Sequence, residues 1–276
     1  MEKYTILMSV YAKENADFFK QAVSSMLNQT LEPDQFIIVC DGPLTDSLNA
    51  AIEGFVQKRP QLFTIVRKEI NSGLANSLNV GLSSSRNEFI ARMDSDDISA
   101  PSRCEKEIRK LSDGFDLVGS WITEFETDPD NVYDVRKVPE NQKEILQFCK
   151  KRTPFNHPSV AYRKSIVQKV GGYPENWKTL EDYYLFYHLL KNGAKVYNIQ
   201  EPLVNMRSGS QQLARRGKIL KKYSHILRKE MFNDHFISFL NYTFITAAID
   251  VGYSLPVTLK RILYKFLLRK KEEGRR

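Results

Sequence analysis

Cysteine is scarce in this 276-residue chain: Cys40, Cys104 and Cys149 are odd in number and far apart. That excludes a disulfide framework and a zinc site built on paired thiolates, and it fits a reducing compartment. With 13 glycines and 11 prolines, the chain is neither collagen-like nor of low complexity. A signal peptide is missing at the N-terminus, so export is not expected and the sequons at Asn28 and Asn241 read as chance. Neither G-x-G-x-x-G nor G-x-x-x-x-G-K-[ST] occurs, which disfavours a Rossmann dehydrogenase and a P-loop NTPase. The one long apolar stretch, 236–255, is broken by Asn241, Asp250 and Gly252. A buried Asp alone costs about 3 kcal/mol on insertion scales, so the stretch reads as a packed or interfacial helix rather than a span.

What remains is a folded chain with 42% hydrophobic and 27% charged residues. Its 41 basic and 33 acidic residues leave +8, unevenly placed. Residues 207–276 hold 16 basic and 5 acidic side chains, net +11, and residues 1–206 are slightly acidic. A basic end suits nucleic acid, an anionic membrane surface or a phosphorylated substrate. Aromatics interleaved with glycine are missing, so nucleic acid is not expected as a partner.

The first half alternates two periodicities. Thr5–Tyr11, Phe36–Asp41, Phe63–Arg67 and Phe89–Met93 are short runs of β-branched and aromatic residues, as buried strands are. Between them, Phe18 to Leu27, Leu48 to Val56 and Leu74 to Leu82 carry apolar residues at helical spacing. This order predicts an α/β fold, a Rossmann-like, mostly parallel sheet flanked by helices. Ligands bind such sheets beyond the carboxyl ends of the strands. Polar residues stand there: Tyr11, then Asp41-Gly42, then Asn71-Ser72-Gly73, then Asp94-Ser95-Asp96-Asp97.

Three carboxylates within four residues repel one another unless a cation neutralises them. One reading is a Mg²⁺ or Mn²⁺ site that also holds a diphosphate, since hard divalent ions take oxygen ligands and leave room for phosphates. The other is an acidic turn in which Asp97 caps the following helix. Gly73, Asn71 and Asp41-Gly42-Pro43 taken singly are also ordinary turn residues.

The ordered set SVY, IIVCDG, N-SG-LANSLNVG, ARMDSDD and a later ED resembles the inverting family 2 glycosyltransferases of GT-A fold, especially those that build bacterial surface polysaccharides. The resemblance spans about residues 5–217 and implies a catalytic domain over 1–217, with a nucleotide-sugar half to about 115 and an acceptor half from 116. Residues 218–276 are then a basic helical extension. The resemblance implies that Ser9, Tyr11 and Asp41 line the nucleotide pocket, with Asp41 at the uracil edge. It sets Asn71, Gly73 and Asn79 near the nucleotide and its phosphates, Asp94 on the ribose or the metal, and Asp96 as the main metal ligand. In place of the family's paired Asp after the second strand, this chain has Cys40-Asp41.

In the second half the ED pair falls at Glu181-Asp182, and the resemblance makes Asp182 the base that deprotonates the acceptor hydroxyl, with Glu181 beside the acceptor. A sugar hydroxyl is a poor nucleophile and needs such a carboxylate. The competing reading is a pair of acids favoured at a helix start by the macrodipole. Tyr173 and Trp177 are candidates to stack on an acceptor sugar, and His157 to orient acceptor or phosphate. The segment 207–217 resembles a loop that closes over the donor, and Arg207, Arg215 and Arg216 suit a diphosphate. After Pro256, Leu259, Ile262, Leu263, Phe266 and Leu267 alternate with basic residues, the pattern of an amphipathic helix on an anionic bilayer.

The expectation is therefore a cytoplasmic enzyme, peripheral on the inner face of the cell membrane. It would move galactose or glucose from a UDP-sugar, with Mn²⁺ or Mg²⁺, to a polyprenyl-diphosphate-linked saccharide. The alternatives are a nucleotidyl- or sugar-phosphate transferase, and a non-catalytic, membrane-tethered sugar-nucleotide sensor.

Overall fold

A computed structural model describes residues 2–208 and 217–254. The chain forms two compact units, 1–210 and 211–276.

In the first unit, β1 (Tyr4–Val10), α1 (Ala16–Leu27), β2 (Gln35–Cys40), α2 (Asp46–Lys58), β3 (Phe63–Arg67), α3 (Leu74–Ser84) and β4 (Phe89–Met93) alternate as the periodicity predicts. All six residues of β2 are buried, because helices cover both faces. Phe19, Ala22, Val23 and Met26 form the buried stripe of α1, and the Asn15 side chain caps that helix by accepting from the Asp17 and Phe18 amides. These residues pack on Tyr4, Ile6, Met8 and Val10 of β1. Full burial of each large apolar side chain contributes about 1.5–3 kcal/mol. The first two strands end one residue earlier than the apolar runs do. Tyr11 is 44% exposed, whereas Asp41 stays buried with its amide bonded to Val10 O.

The unit continues through β5 (Ile98–Ser99), α4 (Arg103–Ser112), β6 (Leu117–Phe125), β7 (Asp134–Arg136) and α5 (Gln142–Cys149). A 3-10 turn (His157–Ser159), β8 (Ala161–Arg163), α6 (Lys164–Lys169), α7 (Glu181–Lys191) and β9 (Val196–Arg207) complete it. The strand order is β3-β2-β1-β4-β8-β6-β9-β5, with β7 on the edge of β6. The four strands read from the sequence are parallel to one another. Beyond β4 the sheet is mixed, because β8 runs back against both β4 and β6 while β9 is parallel to β6. The chain moves outward from β1 to β2 and β3, then crosses to β4 on the other side of β1. That reversal opens a crevice at the carboxyl ends of β1 and β4.

In the second unit, α8 (Gly217–Asn233) and α9 (Phe239–Ser254) form a hairpin. Phe232 stacks on Tyr242 with ring centres 5.0 Å apart. Asp250 meets Lys221 at 2.8 Å and His225 at 3.0 Å. Among the described residues no helix is long and apolar enough to cross a membrane. Arg215, Arg216 and the amphipathic segment after Pro256 lie outside the described residues.

Candidate active site

The crevice is lined by the loops that follow β1, β2, β3 and β4. After β2, the Asp41 carboxylate organises the neighbouring loop: Oδ1 accepts from Lys68 Nζ (2.6 Å) and the Ser72 amide (2.9 Å), and Oδ2 from the Gly73 amide (3.0 Å). Lys68 and these bonds hold the carboxyl below its usual range although burial pulls it up most strongly. Asn71 Nδ2 donates to Asp41 O at 3.2 Å. Gly42, at φ +85°, passes so close that a Cβ there would lie 2.7 Å from Asn71 N. Ser9 is half-buried near the end of β1 and Tyr11 is exposed just beyond it.

After β4, Asp94 is forked by the Arg92 guanidinium, with Nη1 to Oδ2 at 2.7 Å and Nη2 to Oδ1 as the second bond. Arg92 is 1% exposed, and its Nε has no hydrogen-bond partner among the described residues. Burial and the charges of Asp94 and Glu14 push the Asp96 carboxyl up to about 7. Asp97 is buried. Its Oδ1 accepts from the Arg207 amide at 2.8 Å, and Oδ2 has no partner among the described residues. The helix that follows has Ser102 at its N-cap position, so Asp97 is not its cap. Glu14 joins the cluster through Ser95, whose hydroxyl donates to Glu14 Oε2 at 2.6 Å.

Such crowded carboxyls suit a divalent cation. The donors are hard oxygens, one is buried without a partner, and the Asp96 carboxyl is raised by burial and by neighbouring charges that a cation would offset. Asp96 would be the principal ligand and Asp94 its neighbour. Among the described residues no group of three or more His, Cys, Asp or Glu converges in metal-binding geometry. Mg²⁺ and Mn²⁺ commonly combine one or two carboxylates with phosphate oxygens and water.

Arg207, at the end of β9, is 8% exposed. Its guanidinium lies 3.7 Å from the Phe18 ring centre and 4.6 Å from that of Phe125, and donates to Asp96 O at 3.1 Å and Gln21 Oε1 at 3.0 Å. The residue thus braces the acidic loop with both backbone and side chain.

The Arg92 charge also acts on His157, Tyr173 and Asp182. His157 Nε2 is 3.1 Å from the buried Tyr173 hydroxyl. Burial and the Arg92 charge hold His157 well below its usual range, so it is neutral. Asp182 lies in the first turn of α7, which starts after Leu180 in the left-handed region (φ 62°). Burial raises the Asp182 carboxyl, against the Tyr183 amide and the charges of Arg92 and Arg136. A carboxyl poised upward by burial is suited to accept a proton. Glu181 is half-buried beside it, and Trp177 packs on Tyr184 with ring centres 4.8 Å apart.

Asn79 bonds to the loop that precedes α7. From α3 its Oδ1 accepts from the Tyr173 amide (2.8 Å), while Nδ2 donates to Tyr173 O (2.8 Å) and Glu175 Oε1 (3.0 Å). It clasps the 172–175 loop and, through it, Tyr173.

Glu14, Lys68 and Arg92 escaped the sequence reading. Each had a signal: Glu14 lies in the loop after β1, Lys68 directly follows β3, and Arg92 is a lone charge inside the buried run FIARM.

Comparison with known proteins bears on the family and the fold. A model of "Glycosyl transferase family 2" matches residues 5–171. A protein of Escherichia coli named UDP-Gal:alpha-D-GlcNAc-diphosphoundecaprenol beta-1,3-galactosyltransferase is 33% identical over 271 residues, covering 97% of each chain. Staphylococcus aureus TarS (residues 1–349), solved with UDP-GlcNAc, superposes at TM-score 0.66 with 17% identity, over 98% of this chain and 77% of that one. The mannosyltransferase PcManGT of Pyrobaculum calidifontis, solved with GDP-Man and Mn²⁺, superposes at 0.64 with 14% identity, over 92% and 70%.

Proposed function

The chain belongs to glycosyl transferase family 2 and is a glycosyltransferase of GT-A type; from that premise we propose an inverting hexosyltransferase that uses a UDP-sugar and a lipid-diphosphate-linked saccharide. The observation that carries the reading is the gathering of charges around Arg92: it forks Asp94 of an acidic, cation-compatible cluster, and its charge also acts on Asp182, whose carboxyl burial shifts upward. The name of the Escherichia coli relative supports galactose as the sugar and a polyprenyl diphosphate as the carrier. Glucose is the second candidate. Assembly of a surface polysaccharide of O-antigen or capsule type follows from such an acceptor.

Ser9, Tyr11 and the loop fastened by Asp41, with Asn71 and Gly73, receive the nucleotide. Asp94 and Asp96 face its diphosphate. They would hold a divalent ion, Mn²⁺ or Mg²⁺, which when bound would supply positive charge against the departing nucleoside diphosphate. Asp182 accepts the proton of the acceptor hydroxyl as that oxygen attacks the anomeric carbon from the face opposite the leaving group, which inverts the centre. Glu181, Trp177, Tyr173 and His157 shape the acceptor side, where neutral His157 can offer or accept one hydrogen bond. Arg207 holds Asp96 and Asp97 in place.

The basic C-terminal region, net +11 over 207–276, supports attachment to the anionic cytoplasmic surface of the membrane that carries the acceptor. The test is a thermal-shift panel of UDP-, GDP- and dTDP-sugars with and without Mn²⁺, followed by transfer to a diphosphate-linked acceptor. A metal-dependent rise for one UDP-sugar and turnover with acceptor is expected. Absence of any nucleotide response from folded protein overturns the reading in favour of a non-catalytic binding protein.

A further inference from the structure

The two helices of the second unit carry a feature that catalysis does not use. In α8, Lys221, His225 and Phe232 face α9: the first two bond Asp250, and Phe232 meets Phe239 and Tyr242. Advancing one residue from that row, about 100° around the helix, reaches Lys222, Ile226 and, further along the same face, Lys229, all exposed. In α9, the row facing α8 contains Phe239, Tyr242 and Asp250. One residue on from it stand Leu240, Thr243 and Val251, with Phe244 and Ala247 on the same face. Leu240 is 77% exposed, Phe244 75% and Val251 61%.

The displacement has the same sense in both helices, and the helices are antiparallel, so the two exposed rows lie on one side of the hairpin. That side mixes large apolar side chains with lysines. The single carboxylate of α9, Asp250, is already met by two cations.

From this geometry we infer that this side of the α8–α9 hairpin is a docking surface for an anionic lipid bilayer. Apolar side chains that are exposed in water gain by entering the acyl boundary, and lysines beside them reach the anionic headgroups. A second copy would bring Lys222 and Lys229 against like charges, and residues 255–276, with eight basic and two acidic side chains, carry the same sign. Charge therefore favours an anionic occupant over either. The inference rests on the lipid-linked acceptor for its purpose, because an enzyme lying on the bilayer meets its carrier there. The exposed rows themselves are independent of that reading.

The test uses the full chain and sedimentation with vesicles of phosphatidylcholine alone or mixed with phosphatidylglycerol. Binding to the anionic vesicles, weakened by salt, is expected. Leu240→Ser with Phe244→Ser should lower the partition about tenfold or more, and Lys222→Glu with Lys229→Glu should do the same without touching an apolar residue. Helical circular dichroism and the nucleotide-dependent thermal shift should remain those of the unaltered chain. Unchanged partition in the lysine pair overturns the inference, as does a change of oligomeric state with vesicle binding intact, which would assign the face to a second copy. Failure of the glycosyltransferase reading looks different: nucleotide response is lost while vesicle binding persists.

Discussion

Arg92 Nη1 donates to Asp94 Oδ2 at 2.7 Å from a position only 1% exposed. The same buried charge acts on Asp97, His157, Tyr173 and Asp182. One guanidinium therefore interacts both with the carboxylates assigned to the donor and with the groups assigned to the acceptor. Removing the buried guanidinium leaves Asp94, whose side chain is 33% exposed, and the buried Asp97 without the cation they share. Arg92→Met should lower the melting temperature markedly and turnover at least about tenfold. Arg92→Lys should recover part of the stability, because it restores charge but not the fork. A Met variant with full stability and turnover would remove Arg92 from this role.

Asp96 carries the metal assignment. Its carboxyl is raised from an ordinary 3.8 to about 7, so without metal the native state keeps a proton that the unfolded chain has lost. That contribution to stability is present at low pH and disappears as pH rises through this window. Asp96→Asn should flatten this dependence in thermal melts. In the unaltered chain, Mn²⁺ affinity should fall as pH drops below about 7, because protons compete for the ligand. Asp96→Ala should abolish metal-dependent turnover, and metal titration by calorimetry reads both effects.

For Asp182, the Asn variant should keep donor binding and lose transfer by about 10²-fold or more. Burial raises this carboxyl, so the acid limb of kcat/KM should lie above the ordinary carboxylate range. The limb should vanish from any residual activity of the variant. A fully active Asp182→Asn enzyme would sink the assignment.

Asn79 separates two roles. Its three bonds to the 172–175 loop make Asn79→Ala a probe of the acceptor side. The expected result is a raised acceptor KM with donor affinity unchanged. Loss of donor affinity instead would return Asn79 to the nucleotide.

Gly42 tests the β2 turn. At φ +85°, with Asn71 N only 2.7 Å from a would-be Cβ, Gly42→Ala should cost about 1–3 kcal/mol. It should also weaken nucleotide binding by displacing the loop held by Asp41. Denaturant melts and nucleotide titrations check the two effects separately.

The order of short apolar runs and helical stripes was enough to determine the parallel half of the sheet, because strands covered on both faces must be apolar throughout and their polar neighbours must follow at the carboxyl edge. Asp41, Asn71 and Asp94 to Asp97 were therefore visible as a set before any coordinates. The mixed half was not legible: β8 has three residues and β9 pairs with both β6 and β5, so long-range pairing rather than local period decides it. Tertiary structure alone brought Asn79 to Tyr173, 94 residues away, and the Arg207 amide to Asp97, 110 residues away. It also buried Arg92, and burial is what turns an ordinary strand arginine into the charge shared by both sides of the site. Local sequence states which groups exist; how far each is withdrawn from water, and beside which charges, depends on the packing of distant segments.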